Sequence, residues 1–541
     1  MNDTLAHELL INVPSPFLSN ATTLFRRIAT WFSQNEVVIP WLLYFGLLAL
    51  YLAFPTRNYY WDGVSFAQTI EDTKQLGTNL IHPNHLIYNV LGYYFYNVLL
   101  AVGFNVRAIT ALQVLNNIVS AMAAVVLYLT LKAMLRSLYL ATFLTLLFAL
   151  SATWWKFSTD ADAYIISVLF LLLSFYFVLP DKRPQPYFVA FLFFLSMCFH
   201  QLAILFGPVV MVGLFFQEAR VESKAKLSTG LKFGVTTILL TTTAYFSCFY
   251  LATDKLELRA FARWITYYSP DASFTFNIWD NLFYTLRGNA RLFLSGRFSL
   301  ITGLVRPSIV VLMVLLVVAF GTFVYLVVKN FHKPGSKSFR ALMNNSRRRP
   351  LLMLAVVWTL IYLAFLFVWL PQNTFYRLFY LPALILLVGL FASARYDFVT
   401  YTPTYRLAVF TIAVGVANFL FQIYPYHHPD KFPPVRFALE LSKEWPEGTS
   451  IYYAADNADK SLVRYFTPQT AWTRLANQTP DSEELKNIYA QGLTAWLETT
   501  AIDQLASTPE GSAWLSAHAK NDSKRELKDR GFRIEFLQVV P

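Results

Sequence analysis

The chain of 541 residues is 56% apolar and 17% aromatic but only 14% charged, a balance that a water-soluble domain of this size does not show. Its formal charge of +12 sits in the first 424 residues, because from Pro425 onward 13 Lys and Arg meet 16 Asp and Glu, leaving +15 for the rest. Basic residues set between apolar segments mark cytosolic loops, which argues against nucleic acid as a partner, and two cysteines inside apolar runs, Cys198 and Cys248, exclude a disulfide framework or a Cys-based metal site.

The first long apolar run starts near Val37, after a polar stretch holding Arg26 and Arg27, and reads as a retained helix rather than a cleavable signal. Further runs lie near 86–103, 108–131, 138–155, 163–180, 187–199, 201–216, 229–252, 307–329, 351–371, 378–394 and 406–424. If all of them crossed, Lys132, Arg136, Lys182 and Arg183 would lie outside while Arg26 and Arg27 lay inside. The run 86–103 carries Tyr88, Asn89, Tyr93, Tyr94, Tyr96 and Asn97, the amphipathic aromatics of a membrane interface. Placing it on the outer surface brings the short basic loops to the cytosolic side, including 330–349 with Lys333, Lys337, Arg340, Arg347, Arg348 and Arg349.

The expected fold is a polytopic α-helical membrane protein of about eleven transmembrane helices with outer juxtamembrane helices. Its membrane domain covers 1–424, with a first outer loop at 55–107 and another at 253–306, and its N-terminus is cytosolic. Residues 425–541 form a small extracytosolic α/β domain, with strands at 450–454 and 533–540 and helical patterns near 482–505. The helices at 187–199 and 201–216 meet outside at His200. The first is about 20 Å long, short of the roughly 30 Å hydrocarbon core, and this shortfall points to a cavity or a thinned bilayer on that side.

The same parity gathers the polar chemistry outside. The first outer loop runs Tyr59, Tyr60, Trp61, Asp62, Gly63, then Glu71 and Asp72, then His82, Pro83, Asn84, His85. The second brings Trp154, Trp155, Lys156, Asp160, Asp162 and Tyr164. Asp62 is a candidate catalytic carboxylate or a helix cap. Asp162 is a second carboxylate, a cap for the helix near Tyr164, or a partner of Asp62 on a divalent ion. Glu71 and Asp72 read as solvated helix surface. His82 and His85 can present imidazoles to a phosphate, an acceptor or a metal, although a metal lacks a third ligand. His200 stands at a helix tip. Arg377, in the outer turn 372–377, suits a lipid phosphate or snorkels, and Lys156 is a second such cation. The aromatic and basic segment 253–306 reads as an amphipathic cover.

The ordered set of an acid after the first helix, a His-Pro element opening a juxtamembrane helix, an aromatic and acidic second loop, and Arg377 before a late helix resembles the GT-C superfamily of polytopic glycosyltransferases. Within it the set is similar to the protein O-mannosyltransferase branch, over residues 37–424. That branch often has a second acid directly after the first, where this chain has Gly63. The resemblance implies an inverting transfer of a sugar, mannose or a similar hexose or pentose, from a polyprenyl-phosphate donor to a protein, lipid or glycan acceptor. It implies an extracytosolic site, at the plasma membrane in a prokaryote. Asp62 and Asp162 would be catalytic, Arg377, Lys156 and His200 would bind the donor phosphate, and His82 and His85 would contact substrate. No cofactor is certain, a divalent ion being an option at Asp62 and Asp162. The rival readings are a lipid or solute transporter, disfavoured by helix midplanes with almost no ionisable residues, and a noncatalytic scaffold.

Overall fold

In a computed structural model of the chain, the described residues are 36–217, 223–266, 274–296, 340, 342–395, 401–455, 458–476, 478–529 and 532–541. Arg26, Arg27, the apolar run at 307–329 and most of the basic loop 330–349 lie outside them. The remaining apolar runs fall on helices. In chain order the first elements are α1 (Val38–Ala53), α2 (Trp61–Asp72), α3 (Tyr88–Ala101), α4 (Ala108–Leu135), α5 (Leu138–Ala149), α6 (Ala152–Ser158), α7 (Tyr164–Phe177) and α8 (Pro186–Phe199). There follow α9 (Gly207–Gln217), α10 (Ser223–Thr253), α11 (Leu258–Thr266), α12 (Ile278–Phe293), α13 (Arg348–Val368), α14 (Leu381–Arg395) and α15 (Tyr401–Asn418).

By length and apolar composition α4, α10, α13 and the helix reaching from α15 to His427 suffice to cross a bilayer. Among the described residues the pair α5 and α6, bent by 66°, is long enough only when taken together, and α1, α7, α8, α14 and the segment Gln201–Gln217 are apolar but shorter. Lengths alone do not fix the crossings at eleven. Helix α3 belongs to neither group, as its tyrosines and asparagines suggest.

Both helix breaks are satisfied by side chains, as buried backbone in an apolar setting requires. At the α5–α6 bend, Asn418 Nδ2 donates to Leu150 O at 2.9 Å and to Phe293 O at 2.7 Å. At the end of α8, His200 is extended and its Nδ1 accepts from Leu202 N at 3.0 Å, opening the 3-10 turn Gln201–Phe206 that leads into α9.

The C-terminal part holds α16 (Pro433–Glu444), β1 (Ser450–Tyr453), α17 (Ala458–Tyr465), β2 (Ala471–Arg474), α18 (Ser482–Ala490), β3 (Ala495–Glu498), α19 (Thr499–Ala506), α20 (Pro509–His518), β4 (Ala519–Asp529) and β5 (Phe532–Val539). They form one five-stranded sheet of order β2-β1-β3-β5-β4, parallel where β1 meets β2 and β3 and antiparallel beyond. The helical pattern expected over 482–505 is interrupted by β3. Strand β4, with the sequence AKNDSKRELKD, is an edge strand, and its charges hide the alternation by which a half-buried strand is recognised. Leu462 and Tyr465 of α17 belong to the same continuous core as the membrane helices.

Candidate active site

The two outer loops are fastened together by a polar stripe inside an otherwise apolar helix. Gln113, Asn116, Asn117 and Ser120 of α4 are all buried. Gln113 Nε2 donates to Thr56 O at 2.9 Å and Thr159 O at 2.8 Å, so one side chain holds a carbonyl from each loop. One helical turn away, Asn116 Nδ2 donates to Asp160 O and Asp162 O, both at 2.7 Å. These amides were missed in the sequence, where the available signal was a run of Gln, Asn, Asn and Ser within a membrane helix. The α2 N-terminus then closes onto the second loop at Gly63, where a Cβ would lie 2.2 Å from Ala161 O. Glycine here is a condition of the loops meeting, and a second acid cannot be accommodated.

Asp62 thereby faces Asp162. The N-cap of α2 is Tyr60, so Asp62 sits in the first turn and does not cap. Burial, opposed by a hydrogen bond with Tyr164 and reinforced by the nearby Asp160, raises its pKa to about 7. Asp162 is fully buried; its Oδ1 accepts from Ala163 N at 2.7 Å and its Oδ2 has no partner. Ala163, not Asp162, is the N-cap of α7. Burial, then the charge of Asp62, then that of Asp160 raise Asp162 well above the carboxylate range. Each charge thus disfavours the other, and the two acids titrate as a pair rather than independently. Tyr60, Phe157, Tyr164 and Phe375 wall this pair, with ring centroids 4.7 to 6.1 Å apart.

Asp160 has a different task. Its Oδ2 accepts from Tyr60 N at 3.0 Å and from Lys156 Nζ, and its Oδ1 from Ala161 N at 2.9 Å. Lys156 is therefore already ion-paired, and its Nζ lies 4.3 Å from the Phe157 ring. Beyond the aromatic wall is a cavity of about 370 Å³ that Lys156 lines with Arg291, Asn58, Gln372, Asn373 and Gln422. Among the described residues its lining holds two cations, amides and hydroxyls but no carboxylate. Arg291 reaches it from α12, whose buried residues are Asn281, Thr285, Gly288 and Leu292.

Arg377, expected at the donor phosphate, is fully buried and is not part of the cavity lining. Its Nη1 donates to Tyr380 Oη at 2.9 Å and its Nη2 to Pro371 O at 2.7 Å, while Tyr380 Oη donates to Asn289 at 2.7 Å. A Cβ on Gly288 would lie 2.3 Å from its Nε. Arg377 thus fastens the turn Gln372–Phe375 to α12, and of the two arginines it is Arg291 that lines the cavity.

The three histidines do come together. The His85 ring lies 4.8 Å from that of His200 and 5.9 Å from that of His82. Burial is the main cause that lowers all three pKa values, that of His85 to about 3. Burial thus favours the uncharged imidazole at all three, a form that meets a phosphate oxygen as a hydrogen-bond donor rather than as an ion pair. His85 and His200 are both buried, His85 Nδ1 meets Phe199 O at 3.2 Å, and His200 packs against Tyr164, Tyr376 and Phe379. Among the described residues no three His, Cys, Asp or Glu side chains converge as metal ligands. Asp62 and Asp162 would supply two carboxylates to a divalent ion, whose remaining oxygens would come from water or substrate.

No model of a known protein family matches the chain, and no curated protein matches it by sequence. Solved structures match it in fold. ArnT from Cupriavidus metallidurans bound to undecaprenyl phosphate superposes with a TM-score of 0.58 at 10% identity, covering 94% of this chain and 98% of that one. The apo state of the same protein gives 0.57 at 11%, covering 93% and 98%. The oligosaccharyltransferase of Archaeoglobus fulgidus, in complex with zinc and sulfate, aligns at 0.45 and 10%, covering 86% and 67%. The chain shares the fold of the Cupriavidus protein over almost its whole length. At this identity the likeness concerns the fold alone.

Proposed function

We propose that the chain is an inverting glycosyltransferase that moves a sugar, a hexose or pentose such as mannose, from a polyprenyl-phosphate carrier to an acceptor hydroxyl on the extracytosolic side of the membrane. The observation that carries this reading is the meeting of Asp62 and Asp162, from two separate loops, beside a cavity lined by two cations and several amides. The fold shared with a protein solved bound to undecaprenyl phosphate supports the donor class.

In the reaction the acceptor oxygen attacks the anomeric carbon as the carbon–oxygen bond to the phosphate breaks, and the phosphate leaves with the electron pair. The hydroxyl proton passes to the Asp62 carboxylate, while Asp162, holding its own proton, donates a hydrogen bond to the reacting sugar or acceptor. Arg291 and Lys156 face the charge that grows on the departing phosphate. The aromatic wall keeps water from competing with the acceptor. Arg377 acts behind this set by fixing the turn that frames the cavity, and the neutral histidines contact substrate, if at all, as hydrogen-bond donors.

The test is transfer of labelled sugar by the purified protein from synthetic polyprenyl-phosphate hexoses and pentoses to hydroxyl acceptors, with the anomer of the product determined. Retention of configuration, or no transfer from any donor, would defeat the reading. In the same assay Arg291→Ala is expected to raise the donor KM about tenfold, the loss of one charge-assisted contact. An unchanged KM would remove Arg291 from the phosphate site.

A further inference from the structure

We propose that the C-terminal domain is a working part of the transfer site and that Tyr465 is a positioning residue for Asp62. The inference rests on the reading of Asp62 as the proton acceptor, and it comes from what holds helix α2. That helix is 12 residues long and carries Asp62 in its first turn. Its C-terminal end was expected to be solvated at Glu71, but Glu71 is the hub of a partly buried latch. Arg107 grips its carboxylate with two nitrogens, Nε at 2.8 Å and Nη2 at 2.7 Å, and Ala108 N donates to it at 2.8 Å. Tyr465 Oη donates to the same carboxylate at 2.8 Å and accepts from Ile109 N at 3.3 Å. Arg107 Nη2 also donates to the Tyr465 carbonyl at 3.2 Å, and its guanidinium lies 4.1 Å over the Tyr465 ring.

The next residue, Phe466, stacks on Tyr59 with centroids 5.0 Å apart, just ahead of α2. Two consecutive residues of the C-terminal domain therefore hold both ends of the helix that carries Asp62. The Tyr465 side reaches further. Ile109 and Arg107 lie at the start of α4, whose Gln113 and Asn116 hold the carbonyls of the second loop. Tyr465 thus ties together the helices that place Asp62 and Asp162. The pair needs this bracing, because burying two carboxyl groups side by side favours any movement that lets water in.

Tyr465→Phe keeps the ring and its packing and removes the hydroxyl that bridges α2 and α4. The expected result is a kcat lowered about tenfold with donor KM within about twofold, the mark of a misplaced catalytic group rather than a lost binding contact. A second measurement does not depend on turnover: infrared titration of the Asp62 carboxyl, assigned by its absence in Asp62→Asn. In the wild type it is expected to titrate near 7, and in Tyr465→Phe about one pH unit lower, because a loosened α2 admits water. Glu71→Gln, which opens the latch from the membrane side, is expected to act likewise, and Lys486→Ala, on the exposed surface of α18, to change neither readout. If the Asp62 titration in Tyr465→Phe matches the wild type, the proposal is wrong whether or not any donor is turned over. A normal kcat in that variant overturns it equally. Absence of transfer by the wild type, with the Asp62 shift present, would instead strike the assigned reaction and leave the positioning intact.

Discussion

Asp62→Asn is expected to lower kcat for sugar transfer about a thousandfold or more, with the polyprenyl-phosphate donor still bound at close to wild-type affinity. The size follows from removing a positioned proton acceptor where the other groups are preorganised. Affinity persists because the cations lie beyond the aromatic wall, in the cavity lined by Lys156 and Arg291. The wild-type pH profile should show the same group. A base whose pKa is raised to about 7 gives a rate that falls as pH drops below 7, about three pH units above where an ordinary aspartate titrates. Single-turnover rates from pH 5 to 9 check this, and a rate independent of pH between 6 and 8 would remove Asp62 as the base.

The same shift has a consequence for stability, of opposite sign to its use in catalysis. In the folded state Asp62 holds its proton up to about 7, whereas an unfolded aspartate releases it near the model value of 3.8. Stability from this group is therefore fully present below about 4 and is lost as pH rises towards 7. Asp62→Asn, which never ionises, should melt higher than the wild type at pH 8, by about 2 °C, and the gap should shrink at pH 5.

Gly63→Ala is expected to lower kcat about a hundredfold and to destabilise the protein. Helix propensity alone favours alanine by about 1 kcal/mol. That gain is outweighed, because the added Cβ would stand 2.2 Å from the carbonyl oxygen of Ala161 and 3.0 Å from its carbon. The obstacle is backbone, and that backbone is pinned by Asn116 through the carbonyls on either side of it. The clash has to be relieved by moving α2, and with it Asp62, by about 1 Å, a misplacement that costs on the order of a hundredfold in rate. Overpacking of this kind also costs about 1–3 kcal/mol. Gly46→Ala is the matched control, since nothing lies within 4 Å of the Cβ it would add. Turnover and thermal unfolding of the two variants side by side give the comparison, and wild-type turnover in Gly63→Ala would show that the two loops need not touch.

This contact also gives the departure from the mannosyltransferase pattern a physical cause. A second acid after Asp62 would have to occupy the space of the Ala161 carbonyl. If acceptor recognition in this chain uses a second carboxyl, it therefore comes from the other loop, at Asp162.

What the sequence determined by itself was the apolar helical character and the placing of most helices, with the expectation that Asp62, Asp162, His82, His85 and His200 share one side. All of these follow from hydropathy, periodicity and the positions of Lys and Arg, quantities local to each segment. Only the tertiary structure decided which polar groups face which. Arg377 and Arg291 are both outer-side arginines in the sequence. One is fully buried and bonded to Tyr380 and Pro371, while the other lines the cavity. Glu71 looked like helix surface until Arg107 and Tyr465, 36 and 394 positions away, closed on it. Burial lowers the pKa of His85 and His200, which no pattern along the chain reveals. Likewise the amides of α4 are unremarkable in the sequence, yet they join the loops. Burial and pairing are set by residues brought together from distant segments, and a pattern confined to one segment records only its own face.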